Sequence, residues 1–335
     1  MPESVQARRE SGAVVLTVAE VAESTDLDTL VLEVPGGHLS WSLLAGQRIP
    51  AAVLFDPAEA QEWLWAVYGE RVAATIAEQT DHLPTLPAAP AHSDLVDSAR
   101  QLAYAHWADR WWPASTVDGI AALDRRLLDE QIAELTEVCD LLVEESDAPV
   151  SVSPLAPSTG RARDYALAAG AASTSGGLIL TTGTTGWDWR RCPPGLLDAS
   201  EYAVSWQLVR DSGVNTVRVR AVAAPELAAE PSPHLLPVAH IDTGSATTDL
   251  VLGLTGDTWI GAAEVDSDDI AGVDIRVPGV GPADADAAGQ DCGPRRRQLI
   301  RDFAANRLLD RHPADIVPIP LLRAEIDAAA SDSDF

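Results

Sequence analysis

The sequence contains no lysine, because all 23 of its basic residues are arginine. A lysine-free chain lacks the phosphate-loop lysine of a Walker A ATPase, the strand lysine of a protein kinase, a Schiff-base lysine and the Ser-x-x-Lys pair of penicillin-binding enzymes. With 51 acidic residues, the formal net charge is −28, which opposes binding to nucleic acid and to anionic membranes. We therefore expect protein partners, and we expect a partner to supply any ATP hydrolysis.

Cysteine pairs, histidine motifs and long apolar runs are also missing. The three cysteines, Cys139, Cys192 and Cys292, are far apart, which argues against a disulfide framework and a thiolate metal site. The seven histidines show no H-E-x-x-H or H-x-H spacing, so we predict no metal and no cofactor. No apolar run reaches about 18 residues, and the N-terminal one is too short for a secretion signal. The sequence predicts a cytoplasmic protein without a membrane span.

Two proline-rich stretches divide the chain, at 83–90 and 149–157, and neither can continue a helix or a central strand. Together with the local patterns, they predict a multidomain α+β fold of five segments. These are a small N-terminal α/β unit over 1–90, a helical hairpin over 91–148, a linker with a short helix over 149–172, a β-sandwich-like domain over 173–285, and C-terminal helices with an acidic tail over 293–335.

Hydrophobic periodicity predicts the elements of the first half. Three β-like runs cover Ala13–Val18, Thr29–Val34 and Ala51–Phe55. A helix is expected to start at Asp56, which has the position of an N-cap. Two further helices, over 93–112 and 118–145, are expected to form the hairpin.

The second half is predicted to be mainly β-structure after a short helix near 161–169. Short alternating runs separated by Gly and Thr turns are typical of a sandwich or a small barrel. The predicted strands are Leu178–Thr181, Ala203–Val209, Thr216–Val222, Pro237–Ile241, Asp249–Leu254, Trp259–Val265 and Val273–Val277. A hairpin loop is expected over 210–214, and the last helices are expected over 294–309 and 321–329.

One local motif carries a chemical hypothesis. Asp242, Thr243 and Gly244 lie between two apolar runs, and this arrangement resembles the Asp-Thr-Gly turn of pepsin-like and retroviral aspartic proteases. In that family, two carboxylates share a proton and activate water. The nearest similar carboxylate, Asp211, is only 31 positions upstream, so catalysis would require a symmetric dimer that pairs two Asp242 side chains. The alternative is a hairpin turn made of turn-forming residues.

Tryptophan is abundant, with 10 residues against 3 Phe and 4 Tyr. Because Trp and Arg are the residues that dominate protein interfaces, we predict that a clustered set of them binds partners. This set is Trp107, Arg110, Trp111, Trp112, Trp187 and Trp189. Core packing is the alternative for Trp107 and Trp111, which are four residues apart on one helical face, and for the pair at 187 and 189.

The chain resembles proteins of high-GC bacteria that are encoded beside MoxR-type AAA+ ATPases and von Willebrand factor A-domain proteins. Three features carry the resemblance: the stretch Trp-Ala-Asp-Arg-Trp-Trp-Pro-Ala-Ser over 107–115, the β-rich middle, and the arginine-rich helix before Ala324–Ala330. The resemblance implies a non-catalytic adaptor or substrate-recruiting subunit of a remodelling or conflict system, with these two proteins as partners. A dimeric aspartic-type hydrolase that uses Asp242 and a structural protein that self-assembles through its β domain are the alternatives.

Overall fold

The computed structural model describes residues 4–18, 27–78, 85–144, 177–225, 227, 232–281, 293–311 and 318–332. The fold is mixed α+β, as predicted, and all strand pairs in its three sheets are antiparallel. The chain forms two compact units. Unit 1 comprises Met1–Trp112, Leu123–Pro154 and Asn306–Ala330, and unit 2 comprises Pro113–Ala122, Leu155–Ala305 and Ser331–Phe335.

Unit 1 contains a six-stranded sheet. Its strands are β1 (Ser4–Glu10), β2 (Ala13–Val18), β3 (Thr29–Val34), β4 (Gly37–Ser42), β5 (Ala51–Leu54) and β6 (Thr85–Pro87), in the order β3-β4-β5-β2-β1-β6. The strands predicted at 13–18 and 29–34 have the predicted bounds, and the third ends one residue earlier. The first proline-rich stretch contains β6, which is an edge strand, where a missing N–H is tolerated.

Where the structure describes unit 1, its helices are α1 (Gln61–Tyr68), α2 (Glu70–Ala77), α3 (Ser93–Trp111), α4 (Arg125–Glu144) and α6 (Arg323–Asp332), of which α6 lies in unit 1 up to Ala330. Helix α3 packs on β3, α1 and α4. The predicted helical hairpin and the N-terminal sheet therefore share one core. Leu16, Leu30, Leu54 and Leu64 are fully buried in it, and burial of such a side chain contributes roughly 1.5–3 kcal/mol.

Two predicted helix starts are wrong. In each case a carboxylate, Asp56 for the first helix and Asp198 for the second, holds the residues before the helix in a turn. Asp56 Oδ1 accepts the N–H groups of Ala58 and Glu59 at 3.0 and 3.2 Å, and the helix begins only at Gln61. The second helix was expected from residue 118 but begins at Arg125. The residues before it form a turn closed by two backbone bonds of 2.8 Å between Ser115 and Ile120.

Unit 2 contains two sheets. The first has β7 (Leu178–Thr185), β8 (Val204–Asp211), β9 (Val214–Val222), β12 (Gly253–Thr255) and β13 (Thr258–Glu264), in the order β12-β13-β9-β8-β7. The second has β10 (Val238–Asp242), β11 (Thr247–Val251) and β14 (Gly272–Arg276), in the order β11-β10-β14. Helix α5 (Pro294–Leu308) contributes residues up to Ala305 to unit 2 and the rest to unit 1.

These strands overlap the predicted ones with two differences: β7 continues four residues past the predicted end at Thr181, and one predicted run is divided. The run expected over 249–254 becomes β11 and β12, because Leu252 is buried and its N–H bonds to the Pro237 carbonyl at 2.9 Å. The hairpin predicted at 210–214 has a two-residue loop, Ser212 and Gly213, with φ values of 50° and 84°, as a type I′ turn requires. The short helix near 161–169 and the linker over 149–172 lie outside the described residues.

Within the part of the chain that the structure describes, no helix is both long and apolar enough to cross a membrane.

Candidate functional site

Strand β7 has an unusual sequence for the edge of a sheet. Its eight residues, Leu-Ile-Leu-Thr-Thr-Gly-Thr-Thr, include neither a charge nor a proline, and most of them favour extended backbone. It pairs with β8 on one side, and no other described strand lies on its second side. Backbone N–H and C=O groups on such an edge can accept a further strand.

Edge strands are usually protected by charge, proline, short length or a bulge. The opposite edge of the same sheet, β12, is protected by its length of three residues. In β7 the protection is confined to a bulge between Ile179 and Thr181 near its start, and the remaining pairs to Thr185 follow in regular register. Leu178 and Ile179 are 66% and 53% exposed. The regular stretch 181–185 is thus the part of the edge suited to strand addition.

The hydrogen-bond pattern of the sheet shows which β7 residues face outward. Ala203 directly precedes β8, and its carbonyl accepts the Val222 N–H of β9 at 2.9 Å. The odd-numbered residues of β8 therefore direct their N–H and C=O groups toward β9. Bonding directions alternate along an antiparallel strand, so Trp206 bonds toward β7, where its partner is Gly183. Thr182 and Thr184, which flank Gly183 in the chain, therefore direct their N–H and C=O groups to the free edge.

Trp206 lies over the glycine of this edge. A Cβ atom placed on Gly183 would be 2.3 Å from Trp206 Cζ2 and 2.7 Å from its Nε1, so the indole occupies the space above the glycine. Trp206 is half-buried. No described residue accepts a hydrogen bond from the indole Nε1 of Trp206, and this nitrogen is not a buried donor left unpaired. We name strand β7 together with the Trp206 indole the β7 edge site.

The Asp-Thr-Gly motif forms the turn between β10 and β11. Asp242 is exposed, and its Oδ1 accepts the Gly244 N–H at 2.7 Å. Thr243 Oγ1 accepts the N–H of Ala246 at 3.1 Å, and Gly244 has a φ of 79°. Asp211, the other carboxylate considered, lies at a different hairpin in the five-stranded sheet and accepts from Ser212 Oγ. These contacts support the hairpin-turn interpretation, while the catalytic alternative for Asp242, Thr243 and Gly244 stays a prediction.

A charged row crosses the three-stranded sheet beside this turn. His240 Nδ1 lies 2.6 Å from Asp249 Oδ1, and His240 is opposite Asp274 in the other neighbouring strand. The His240 contact holds the pKa of Asp249 below its usual range. Asp274 pairs with Arg191 at 2.6 Å. The His240–Asp249 pair is largely exposed, and exposed pairs contribute about 0.2–1 kcal/mol. Among the described residues, no group of three His, Cys, Asp or Glu side chains is placed to hold a metal ion.

The predicted partner-binding set is divided by burial. Trp107 is 3% exposed, donates its indole N–H to the Leu27 carbonyl at 2.6 Å and stacks on Tyr104, as the core-packing alternative predicted. Trp111 and Trp112 are half-buried at the end of α3, and the Arg110 guanidinium lies 4.9 Å from the Trp111 ring centre. In unit 1, Arg110, Trp111 and Trp112 are thus the members of the set that reach the surface.

The second pair of tryptophans is not exposed. Trp187 and Trp189 are each 5% exposed, and Trp187 donates its indole N–H to the Asp198 carbonyl at 2.7 Å. The core-packing alternative therefore describes both residues in unit 2. Neither indole is therefore accessible to a partner.

Asp198 is a buried carboxylate that the sequence did not single out. It is fully buried, and its oxygens accept from Ser115 Oγ at 2.7 Å, from the Thr116 N–H at 2.7 Å and from the Ser200 N–H at 2.9 Å. All of these partners belong to unit 2. The carboxylate therefore organises the turn that replaces the start of the predicted second helix.

Two arginines of α5, Arg297 and Arg301, form ion pairs within unit 2. Arg297 Nε lies 2.6 Å from Glu201 Oε1, and Arg301 Nη1 lies 3.0 Å from the same oxygen. Burial alone would raise the pKa of Glu201, but the two guanidinium groups hold it below its usual value. Both arginines are at most 5% exposed. Arg297 and Arg301 are therefore part of the internal structure of unit 2.

Neither described cysteine is suited to nucleophilic chemistry. Burial, followed by the charge of Asp140, raises the pKa of Cys139 to about 11. Burial raises the pKa of Cys192 still further. Because the thiolate is the reactive form, both thiols are inert near neutral pH. Cys292 lies outside the described residues.

The β7 edge site was missed by the sequence analysis, which identified a strand at 178–181 and turns around it. The available signal was a run of uncharged, largely β-favouring residues containing one glycine. The edge position of β7 and the pairing of Gly183 with Trp206 depend on strand order and register.

No protein-family model, no curated protein and no solved structure matches the chain.

Proposed function

We propose that this protein is a non-catalytic protein-binding subunit that takes an extended segment of a partner onto the β7 edge site. The single observation that carries the proposal is the edge of β7, which is long, uncharged and proline-free and which no other described strand pairs with on its second side. Backbone hydrogen bonds to an added strand recognise an extended chain of almost any sequence. Such recognition suits a subunit that recruits substrates.

The edge also sets the expected strength of binding. Thr182 and Thr184 each offer one N–H and one C=O, so an added antiparallel strand can make up to four backbone hydrogen bonds there. A hydrogen bond in water contributes about 0.5–1.5 kcal/mol net. A partner segment held by these groups alone would bind weakly and reversibly, as recruitment and release require.

The partners proposed for this subunit are a MoxR-type AAA+ ATPase and a von Willebrand factor A-domain protein in the cytoplasm. The support is the resemblance of the tryptophan-rich helix end, the β-rich middle and the arginine-rich helix to proteins encoded beside such partners. The lysine-free sequence agrees with it, because a chain without a phosphate-loop lysine depends on a partner for ATP hydrolysis. Arg110, Trp111 and Trp112 offer a second surface for these partners.

The test compares two proline variants of the full chain in affinity purification from the native host. Thr184→Pro removes an outward N–H of β7 and leaves the bonds to β8 in place. Val251→Pro is the matched control, because Leu252 bonds toward β10, so the Val251 N–H points to the free edge of β11. We expect an AAA+ ATPase or a von Willebrand-type protein to be recovered with the wild type and the control, and to be lost with Thr184→Pro.

Recovery of neither partner with the wild type would contradict the partner assignment. Equal recovery with all three proteins would contradict the role of β7. Thermal unfolding of both variants shows whether a loss of binding comes from unfolding, and Thr182→Pro repeats the test at the second outward residue.

A second candidate function, self-assembly, is favoured by the same observation. Two β7 strands can pair antiparallel about a two-fold axis, and the absence of charge in β7 avoids local repulsion between copies with a net charge of −28. Sedimentation at increasing protein concentration tests this candidate. A dimer weakened by Thr184→Pro and unaffected by Val251→Pro would support it, and a monomer at all concentrations would contradict it.

A further inference from the structure

We infer that the β7 edge site selects a partner segment with a large aromatic side chain opposite Gly183, packed against the indole of Trp206. This inference rests on the proposed function and adds to it the chemical class of the residue that is recognised.

The first step is the register of the added strand. Because Thr182 and Thr184 bond outward, Gly183 takes the non-hydrogen-bonded position toward an added antiparallel strand. Residues facing each other in such a pair have Cα atoms about 4.5 Å apart, closer than in hydrogen-bonded pairs. The partner residues opposite Thr181, Gly183 and Thr185 therefore approach β7 most closely, and among these three positions only Gly183 lacks a side chain of its own.

The second step is what the partner residue opposite Gly183 meets. Gly183 has no side chain, and the indole of Trp206 covers it, with Cζ2 and Nε1 nearest to the position of a Cβ. A partner side chain on the same face thus contacts an aromatic ring that reaches across from β8. Aromatic rings pair best edge-to-face or in offset stacks. A Phe, Tyr or Trp in the partner provides the ring and the apolar area for this contact.

The third step concerns the polar atom of the indole. Trp206 Nε1 has no described acceptor and is not among the buried unpaired atoms. An added strand can therefore provide an acceptor for this N–H, from its backbone or from a Tyr hydroxyl. The indole of Trp206 thus offers an apolar surface and one donor at a single position of the edge.

A purely structural role for Trp206 is the competing explanation. Aromatic residues cover glycines in edge strands and thereby stabilise the sheet. In that case, replacing Trp206 would lower the stability of unit 2 but would not change which residues a bound segment contains. The identity of the selected partner residue separates the two explanations.

The experiment uses the full chain and a phage-displayed library of random twelve-residue peptides as the probe. We expect the selected peptides to share one aromatic residue flanked by residues that favour extended backbone. Replacing that aromatic residue by Ala should weaken binding about tenfold, and Trp206→Leu should do the same. The two changes together should weaken binding little more than either alone, because both remove one contact.

The outcomes separate this inference from the function on which it rests. In one outcome, the peptides lose binding with Thr184→Pro, while the losses of affinity from Trp206→Leu and from replacing the peptide's aromatic residue simply add. That result would overturn the aromatic selection and leave strand addition intact. Peptides unaffected by Thr184→Pro, or no selected peptides at all, would contradict both proposals. Trp206→Phe retains a ring and should keep most of the affinity. Thermal unfolding of Trp206→Leu shows whether its loss of binding arises from unfolding.

Discussion

Arg307 and Glu325 form a bidentate ion pair in the interior of unit 1, with Arg307 Nε 2.8 Å from Oε1 and Nη2 2.6 Å from Oε2 of the carboxylate. The side chains are 2% and 0% exposed. Tyr104 donates its hydroxyl to Glu325 at 2.6 Å, and its ring lies under the guanidinium at 4.8 Å. This cluster joins α3 to the ends of α5 and α6 within unit 1.

Removing one partner of this pair should strongly destabilise unit 1. Glu325→Ala leaves the Arg307 guanidinium buried without its carboxylate, and breaking a buried pair in this way costs about 3–5 kcal/mol. Urea unfolding of the full chain measures the change. The matched control is Glu130→Ala, which removes the exposed pair of Arg126 and Glu130 on α4 and should cost less than about 0.5 kcal/mol. Equal effects of the two variants would contradict the structural role of Glu325.

The stability of unit 2 should depend on pH through Glu201. The pKa of this carboxyl is lowered in the folded protein by Arg297 and Arg301, against the effect of burial. Its contribution is therefore complete above the ordinary value near 4.5 and is lost as the pH falls toward the lowered folded pKa. Unfolding of the wild type and of Glu201→Gln should differ most near neutral pH, and the difference should shrink below about pH 4. A constant difference from pH 7 to pH 3 would show that Glu201 does not titrate in this way.

The Asp242 turn should tolerate an amide. In Asp242→Asn, the side-chain oxygen can still accept the Gly244 N–H, and Asn is as good a turn residue as Asp. We expect thermal unfolding within about 0.5 kcal/mol of the wild type and no change in a peptide-cleavage assay. Cleavage by the wild type that disappears in the variant, with dimerisation unchanged, would instead support the aspartic-type hydrolase.

Asp198 should be among the most sensitive positions of unit 2. Asp198→Ala leaves the Ser115, Thr116 and Ser200 donors without their acceptor, and each bond to a charged acceptor contributes about 1.5–3 kcal/mol. We expect a loss of about 3 kcal/mol or more and faster amide hydrogen exchange at Thr116. Asp257→Ala, whose carboxylate accepts from Thr258 Oγ1 at an exposed site, is the control. Unchanged exchange at Thr116 would argue against a role of Asp198 in holding this turn.

Most strands could be located from the sequence because the preference of their residues for extended backbone is local. Leu, Val and Thr make up most of β2 and β3, in which alternate residues are buried, and the two-residue loop at Ser212 and Gly213 has the positive φ angles of a type I′ turn. These features require no knowledge of distant contacts. The α+β class and the approximate positions of most strands could therefore be predicted, whereas β1, β4 and β6 were missed.

The errors arise where a distant residue decides the local structure. Residues 118–124 have a helical pattern, but Asp198 holds the preceding residues in a turn. Trp187 and Trp189 lie among turn-forming residues, yet both are buried. The β7 edge site depends on strand order, which a single sequence does not contain. Contacts between residues far apart in the chain thus account for the missed parts of the fold and of the site.

The short β12 strand limits how many strands the five-stranded sheet can recruit. With three residues, β12 offers little length for pairing, whereas β7 offers a regular stretch at the opposite edge. Once β7 is paired, the described strands of this sheet offer no second edge of comparable length for pairing. Pairing through β7 should saturate at one partner segment or one second copy per chain. The same architecture that permits recruitment consequently opposes the growth of open-ended fibres.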